Sequence, residues 1–295
     1  MIASGKWDPR AALTRARERL RASWVKGPIS AGLYEFLAFG IKQAWACLFG
    51  GAMLALLILT HVFWPDHAPL ARYDFITLAA LALQAGLIAS RLETWEEARV
   101  IFAFHLVGTA MEIFKTGAGS WHYPEPSLLR IAGVPLFSGF MYASVGSYLA
   151  RVWRIFAFEF KGFPPLWAMA LLSVAIYANF FAHHSLPDLR LGLFAVAAFL
   201  FWRTRVDFRS DQSRRSMPLL LGFFLVAGFI WLAENAATYA NAWVYPSQQG
   251  QWAPVSVAKL GSWYLLMIIS FTLVSWLHHA KSGAKARDEA GKGDA

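Results

Sequence analysis

The chain has 295 residues, of which 57% are hydrophobic and 15% are charged, and its mean hydropathy is +0.43. This composition excludes a disordered or collagen-like protein and favours a membrane protein over an ordinary soluble globule. The formal charge is +9, and the single cysteine, Cys47, excludes an internal disulfide and leaves the redox compartment open.

The two ends of the chain are polar. Residues 1–35 are basic and lack the apolar core of a signal peptide. A helix is predicted from Pro9, with apolar residues on one face as far as Trp24, and we expect it to lie in the membrane interface. The alternative is a solvated tail without fixed structure. Residues 281–295 are rich in Gly, Lys and Asp and are predicted to be disordered.

Eight stretches between these ends are long and apolar enough to span a bilayer, which takes about 20 residues in a helix. They are residues 40–62, 73–91, 99–117, 133–156, 164–183, 189–206, 217–238 and 256–279. The sequence therefore predicts an all-α, polytopic membrane protein with eight transmembrane helices.

The basic residues concentrate on one side of these spans. The amino-terminal segment, the second, fourth and sixth links and the final tail hold 21 of the 27, whereas the other links hold five. Because cytoplasmic loops carry an excess of Lys and Arg, we expect a cell-membrane protein with both termini in the cytoplasm. The positive charge then faces anionic lipid, so the lipid bilayer is the expected partner and no nucleic-acid partner is predicted.

An offset of 122 residues aligns motifs from the two halves of the chain. The paired positions are His61 and His183, Asp66 and Asp188, Glu112 and Glu234, Trp121 and Trp243, and Tyr123 and Tyr245. Such self-similarity predicts a tandem duplication, with four-helix units at residues 36–160 and 161–280. Since four crossings return the chain to the same side, the units should be related by a pseudo-twofold axis along the membrane normal.

Glu112 and Glu234 are the candidate catalytic residues, because a carboxylate within an apolar span is costly unless it is paired, protonated or exposed to water. Lys115 follows Glu112 at a spacing that allows an ion pair, whereas Glu234 is followed by Asn235. We therefore expect the two carboxyls to differ in protonation, as in sites that separate an acid from a base. The alternative is that each only bonds a neighbouring helix.

His105 is a third candidate catalytic residue. It precedes Glu112 by two helical turns, so it lies on the same face about 10 Å deeper. Its counterpart at the 122 offset is Ala227, which would make the site asymmetric. A histidine with a purely structural role in packing is the alternative.

Four aromatic residues follow the two glutamates, and their spacing along the sequence is the same in both halves. A membrane-interface belt accounts for aromatic residues at helix ends, but not for their repeated spacing. We therefore predict a pocket for an apolar lipid or isoprenoid ligand. Its expected substrate-binding residues are Trp121, Tyr123, Trp243, Tyr245, Lys115 and Asn235.

A metal centre is an alternative interpretation of the histidines at the helix ends. The available ligands, of types that suit zinc or iron, are His61, His183, His184, Asp66 and Asp188. The sequence contains no HExxH or Glu-x-x-His pair, and His-x-x-x-Pro-Asp equally marks a helix end followed by a turn. We therefore predict no cofactor.

The chain resembles the bacterial integral-membrane family catalogued as domain of unknown function 817. The resemblance rests on residues 111–116, 119–124, 133–140 and 233–235 and covers most of residues 35–280. A fainter similarity, through Glu112, Trp121, Tyr123 and the turn at 133–135, extends to the membrane-embedded lycopene cyclase and carotenoid hydratase families. That similarity implies protonation of polyene double bonds by carboxylic acids without a metal.

The function that we expect from these residues is a membrane-embedded enzyme acting on an apolar lipid or isoprenoid by carboxylate acid–base chemistry. Its pocket would open to the outer leaflet. Two alternatives remain open: a transporter that binds a proton or cation at the repeat interface, and a scaffold for partner proteins in which the acids are structural.

The predicted orientation can be tested with reporter fusions. We expect green fluorescent protein fused after residue 295 to fluoresce, because that terminus is predicted to be cytoplasmic, and alkaline phosphatase fused there to be inactive. Fusions after Ala68, in the first outer link, are the matched control and should give the reverse pattern. An active phosphatase at residue 295 would contradict the prediction.

Overall fold

The computed structural model describes residues 9–293 except His184, with side chains for residues 16–95, 97–183 and 185–276. The described chain is mostly helical, as predicted. Its helices are α1 (Pro9–Trp24), α2 (Pro28–Ala46), α3 (Leu48–Phe63), α4 (Arg72–Ala89), α5 (Trp95–Gly117), α6 (Phe137–Phe156), α7 (Leu166–Ala182), α8 (Arg190–Phe201), α9 (Leu219–Tyr239) and α10 (Ala258–Gly293), with a 3-10 turn at Pro246–Gln248.

Several of these helices identify a membrane protein, but eight full crossings are not established. Among the described residues, four helices are long and apolar enough to cross a membrane: Arg72–Ala89, Glu97–Gly117, Leu219–Tyr239 and Ala258–Trp276. The bent pair α2 and α3 makes a fifth if it counts as one span. The predicted spans 164–183 and 189–206 are the helices α7 and α8, which have 17 and 12 residues and are short for a 30 Å hydrocarbon core.

The first predicted span, 40–62, is wrong as a single helix. The chain bends by 69° at Cys47, between α2 and α3. Before the bend, the Lys42 ammonium of α2 donates to the carbonyl oxygens of Arg209 at 2.9 Å and Ile155 at 3.3 Å. These bonds hold α2 against one end of the bundle while the apolar α3 packs along it.

The structure also corrects the all-α prediction, because it contains two small antiparallel sheets. Strands β1 (Arg130–Ile131) and β2 (Val134–Pro135) form a hairpin, and strands β3 (Glu159–Lys161), β4 (Arg205–Arg209) and β5 (Arg214–Pro218) form a three-stranded sheet. The predicted span 189–206 thus ends early, at Phe201. Its polar, arginine-rich continuation pairs as strands in which buried Val206 and Phe208 alternate with charged residues.

The links between helices meet at two ends of the bundle. At the end that we call the sheet end, β3, β4 and β5 gather the links that follow α6 and α8. At the opposite end, which we call the cavity end, the Arg72 guanidinium at the start of α4 donates to the Ala240 carbonyl after α9 at 2.9 Å. The backbones of His122 and Val244 also pair there, with N to O distances of 3.0 and 2.9 Å.

Both polar termini contain helix. In α1, Arg17 and Arg21 form ion pairs with Asp211 in the β4–β5 turn, so this predicted interfacial helix also contacts the protein itself. At the other end, α10 continues to Gly293 through a segment predicted to be disordered. Extending an existing helix avoids the cost of nucleation, and Ala, Lys, Arg and Glu in this segment are good helix formers.

Helices α5 and α6 approach closely enough that glycine is required at the contact. A Cβ atom at Gly139 would lie 2.3 Å from His105 Nδ1, and one at Gly108 would lie 2.5 Å from the ring of Tyr142. The His105 ring instead packs against Phe140, with centroids 4.7 Å apart. Close packing of these helices therefore determines where the side chains of α5 and α6 lie relative to each other.

A buried ion pair joins the link between α4 and α5 to α6 near the sheet end. Glu93 accepts hydrogen bonds from Arg151 at 2.8 Å, Ser147 at 2.6 Å and Gln84 at 2.5 Å. The side chains of Glu93 and Arg151 are each 1% exposed. Burying two charges is tolerable only when both are paired and hydrogen-bonded, as they are here.

We expect Arg151→Met to lower the free energy of unfolding by about 3–5 kcal/mol, because it leaves the Glu93 carboxylate buried without its cation. Thermal unfolding in detergent would measure the loss. Arg154→Met is the matched control, since Arg154 is half exposed and its 3.4 Å pair with Glu97 is worth under about 1 kcal/mol. Equal effects of the two substitutions would contradict the assignment.

Candidate functional site

A cavity of about 290 Å³ lies at the cavity end, where the ends of α5, α7 and α9 meet the starts of α6, α8 and α10. Its volume is close to the lower limit for small-molecule pockets. Glu112 and Glu234 both line it, and each residue is only 4% exposed. The structure therefore brings the two glutamates together in one cavity.

Three aromatic side chains hold the Glu112 carboxylate. Its Oε2 accepts hydrogen bonds from Trp121 Nε1 at 2.8 Å and the Tyr123 hydroxyl at 2.6 Å, and its Oε1 accepts one from the Tyr142 hydroxyl at 2.7 Å. Trp121 and Tyr123 follow α5 in a turn that folds back over the end of that helix. The carboxylate thus receives these bonds from aromatic donors rather than from Lys115, the predicted ion-pair partner.

Two aromatic side chains hold the Glu234 carboxylate. Oε1 accepts a hydrogen bond from the Tyr245 hydroxyl at 2.5 Å, and Oε2 accepts one from Trp263 Nε1 at 2.7 Å. Tyr245 stands in the same relation to Glu234 as Tyr123 does to Glu112, eleven residues further along the chain. Trp263 comes instead from α10, at a position that the repeated motif did not include.

The two tyrosines in the loops act as donors. Burial, followed by the nearby glutamate charge, raises the pKa of Tyr123 and of Tyr245 well above the ordinary value of 10. Both hydroxyls therefore keep their protons at neutral pH and can donate to a carboxylate. The paired backbones of His122 and Val244 hold the two turns side by side.

A lysine lies between the two halves of the site. The ammonium of Lys259, in the first turn of α10, is 4.4 Å from the ring centroid of Tyr245 and 4.9 Å from that of Trp121. The two rings contact each other edge to face at 5.8 Å. Cation–π attraction therefore fixes this charge at the wall of the cavity.

Most of the predicted site residues line the cavity. They are Glu112, Lys115, Trp121, Tyr123, Glu234, Trp243 and Tyr245. Two predicted residues lie elsewhere. The half-buried ring of His105 lies between α5 and α6. The amide of Asn235 donates to the Trp231 carbonyl at 2.8 Å and accepts from Val255 N at 2.9 Å.

The lining residues that sequence reasoning missed include Tyr142, Arg190, Lys259 and Trp263. For Arg190 and Lys259 a signal was available, because basic residues are rare on their side of the predicted spans. The two aromatic residues gave none, since Trp and Tyr occur throughout this chain.

The alternative metal ligands do not form a cluster among the described residues, where no three His, Cys, Asp or Glu side chains lie together. His183 lines the cavity, Asp188 pairs with Arg190, and the His61 ring contacts Tyr239 at 5.9 Å. Asp66 is exposed, and His184 lies outside the described residues.

Comparison with known proteins confirms the first resemblance. The family described as protein of unknown function (DUF817) matches residues 35–271. The uncharacterized protein YoaT of Bacillus subtilis (strain 168) is 42% identical over 255 residues, which are 86% of this chain and 96% of YoaT. No solved structure matches. The similarity to carotenoid enzymes stays a prediction.

We expect Tyr142→Phe to lower the free energy of unfolding by about 1–3 kcal/mol, because Oε1 of buried Glu112 loses the hydroxyl that donates to it. Tyr264→Phe is the matched control. It removes a hydroxyl from the position 122 residues later that donates to neither glutamate, so its effect should stay within about 0.5 kcal/mol. Thermal unfolding of both variants checks the difference, and equal losses would contradict it.

Proposed function

We propose that this chain, which belongs to the DUF817 family, is a membrane-embedded enzyme acting on an apolar lipid or isoprenoid. The observation that carries the proposal is the pair of buried glutamates in one cavity among apolar helices. A carboxylate in such surroundings is expensive, and a bundle needs only hydrophobic contacts to hold together. Two buried carboxylates around a cavity of ligand size favour a catalytic role over a purely structural one.

The cavity supports an enzyme more than a transporter because it is one-sided. A space of about 20 Å³ lies beside it among the described residues and is bordered by Phe104, Val145, Ile230 and other residues. Towards the sheet end, α5 and α9 present buried apolar residues such as Val100 and Phe223. A transporter needs a polar path on both sides of its binding site, and the described residues offer it on one side.

The two glutamates differ in their hydrogen bonds, and we assign them different roles on that basis. Glu112 accepts three bonds from neutral donors and is placed to stay an anion that stabilises positive charge in the substrate. Glu234 accepts two, one of them from the Tyr245 hydroxyl, and is placed to exchange a proton with the substrate.

We also propose the finer architecture: eight crossings in two parallel four-helix units, the sheet end in the cytoplasm and the cavity open to the outer leaflet. Two observations support it. His122 and Val244 are 122 residues apart and pair with each other, as equivalent residues beside a pseudo-twofold axis would. The arginine-rich strands β4 and β5 lie at the sheet end, where the positive-inside rule expects them.

Lipid extracts of cells with and without the protein test the proposed activity. We expect at least one apolar lipid to change in abundance when the protein is absent. Expression of the wild-type chain should restore it, and Glu234→Gln should not, because the amide cannot exchange a proton. Mass spectrometry of the extracts measures the outcome.

Glu97→Gln is the matched control, since Glu97 lies at the opposite end of α5 and far from the cavity. It should restore the lipid profile as the wild type does. The enzyme proposal would be wrong, and the transporter favoured, if the lipid profile never changes and Glu234→Gln abolishes a proton-coupled uptake. An unchanged profile without such uptake would favour the scaffold.

A further inference from the structure

The cavity contains a group of three basic side chains in addition to the two glutamates. Lys115, Arg190 and Lys259 all line it. They are three of the five basic residues that the charge pattern assigned to this side of the spans. Lys115 and Arg190 come from α5 and α8, and Lys259 from α10, so three separate helices bring cations to one space.

These cations oppose one another. Lys115 is repelled by Lys259 and Arg190 and attracted by Asp188. Lys259 is repelled by Arg190 and attracted by Glu234 and Glu112. Arg190 and Lys259 also lie in the first turns of their helices, which contain no acidic residue. A cation there adds to the positive end of the helix dipole instead of offsetting it. An anion bound among these groups would be attracted by all three cations.

The acidic groups nearby already have other partners. Glu112 and Glu234 accept five hydrogen bonds from Trp and Tyr side chains, so neutral donors stabilise their charge. Neither forms an ion pair with Lys259, whose ammonium instead lies against two ring faces. Asp188 is bonded to the Arg190 Nε at 2.5 Å and orients that side chain, whose Nη1 is 3.5 Å from Ser262 Oγ.

We propose that Lys115, Arg190 and Lys259 bind the phosphate head of an amphiphilic substrate, whose apolar chain leaves the cavity towards the lipid. The inference rests on the proposed function, because it names the polar part of the substrate of that site. Phosphate fits the donors at hand, which are two ammonium groups, a guanidinium and the hydroxyls of Ser120, Ser256 and Ser262 at the cavity wall. The bound head would place the first carbons of the chain beside the glutamates.

Ligands that share a chain but differ in charge test the proposal on the full-length protein in dodecyl maltoside. Decyl phosphate should raise the unfolding temperature in a saturable manner, whereas decyltrimethylammonium at equal concentration should not. Inorganic phosphate separates the two sources of the head group. It should bind at least tenfold more weakly than decyl phosphate if the site takes a lipid, and equally well if it takes free phosphate. Equal binding would overturn the lipid part of the proposal.

Substitutions locate the site. Lys259→Met and Lys115→Met should each weaken decyl phosphate binding about tenfold, as expected for loss of one charge-assisted contact. Lys259→Arg should keep most of the affinity, and this variant preserves the test if the methionine variant does not fold. Lys161→Met, at the exposed sheet end, is the matched control and should bind as the wild type does. Equal binding of decyl phosphate to all variants would overturn the proposal.

The two proposals can fail separately. Glu234→Gln should still bind decyl phosphate, because Glu234 does not contact the head group in this arrangement. If cellular lipids do not depend on the protein but decyl phosphate binding depends on Lys259, the enzyme proposal fails and the phosphate site stands. If lipids depend on Glu234 but decyl phosphate and decyltrimethylammonium bind alike, the phosphate site is wrong and the enzyme proposal stands.

Discussion

The need of a buried carboxylate for hydrogen-bond donors determines the arrangement at the cavity end. Within an apolar bundle little water reaches such a group, so the protein has to supply the donors. Glu112 and Glu234 obtain them from Trp and Tyr, whose rings are compatible with apolar surroundings while their N–H and O–H groups donate. The turns after α5 and α9 fold back over their helices and so place these donors beside the glutamates. The cavity is the space that remains between the two turns and the helix ends.

The halves of the chain share this solution but differ in detail, and the differences create distinct sides of the cavity. Tyr142 completes the bonds of Glu112, whereas Tyr264, 122 residues later, bonds neither glutamate. Trp263 serves Glu234 from a position whose counterpart is Met141. Lys259 likewise corresponds to Phe137. If the proposed duplication holds, its diverged side chains present an anionic and a cationic region to a single ligand.

The opposite end of the bundle uses charge in another way. Glu93 and Arg151 neutralise each other in the interior, and Glu35 accepts hydrogen bonds from the backbone of residues 211–213 in the β4–β5 turn. These polar contacts connect helices and sheet without leaving a cavity of ligand size. The contrast supports reading the charges at the cavity end as functional, because the sheet end shows how this chain satisfies charges that are structural.

The sequence by itself determined that the chain is a helical membrane protein and which family it belongs to. It also identified the two central glutamates and their partners Tyr123 and Tyr245. These features depend on apolar content and on local spacing, which the linear sequence records directly. The tertiary structure decided the rest. It broke the first predicted span at Cys47, paired β3, β4 and β5, turned Asn235 to the Val255 backbone and kept His105 out of the cavity. It also brought Tyr142, Arg190, Lys259 and Trp263 to the site. These outcomes depend on contacts between residues far apart in the chain, such as Lys42 with Arg209, and no local pattern encodes which distant groups will meet.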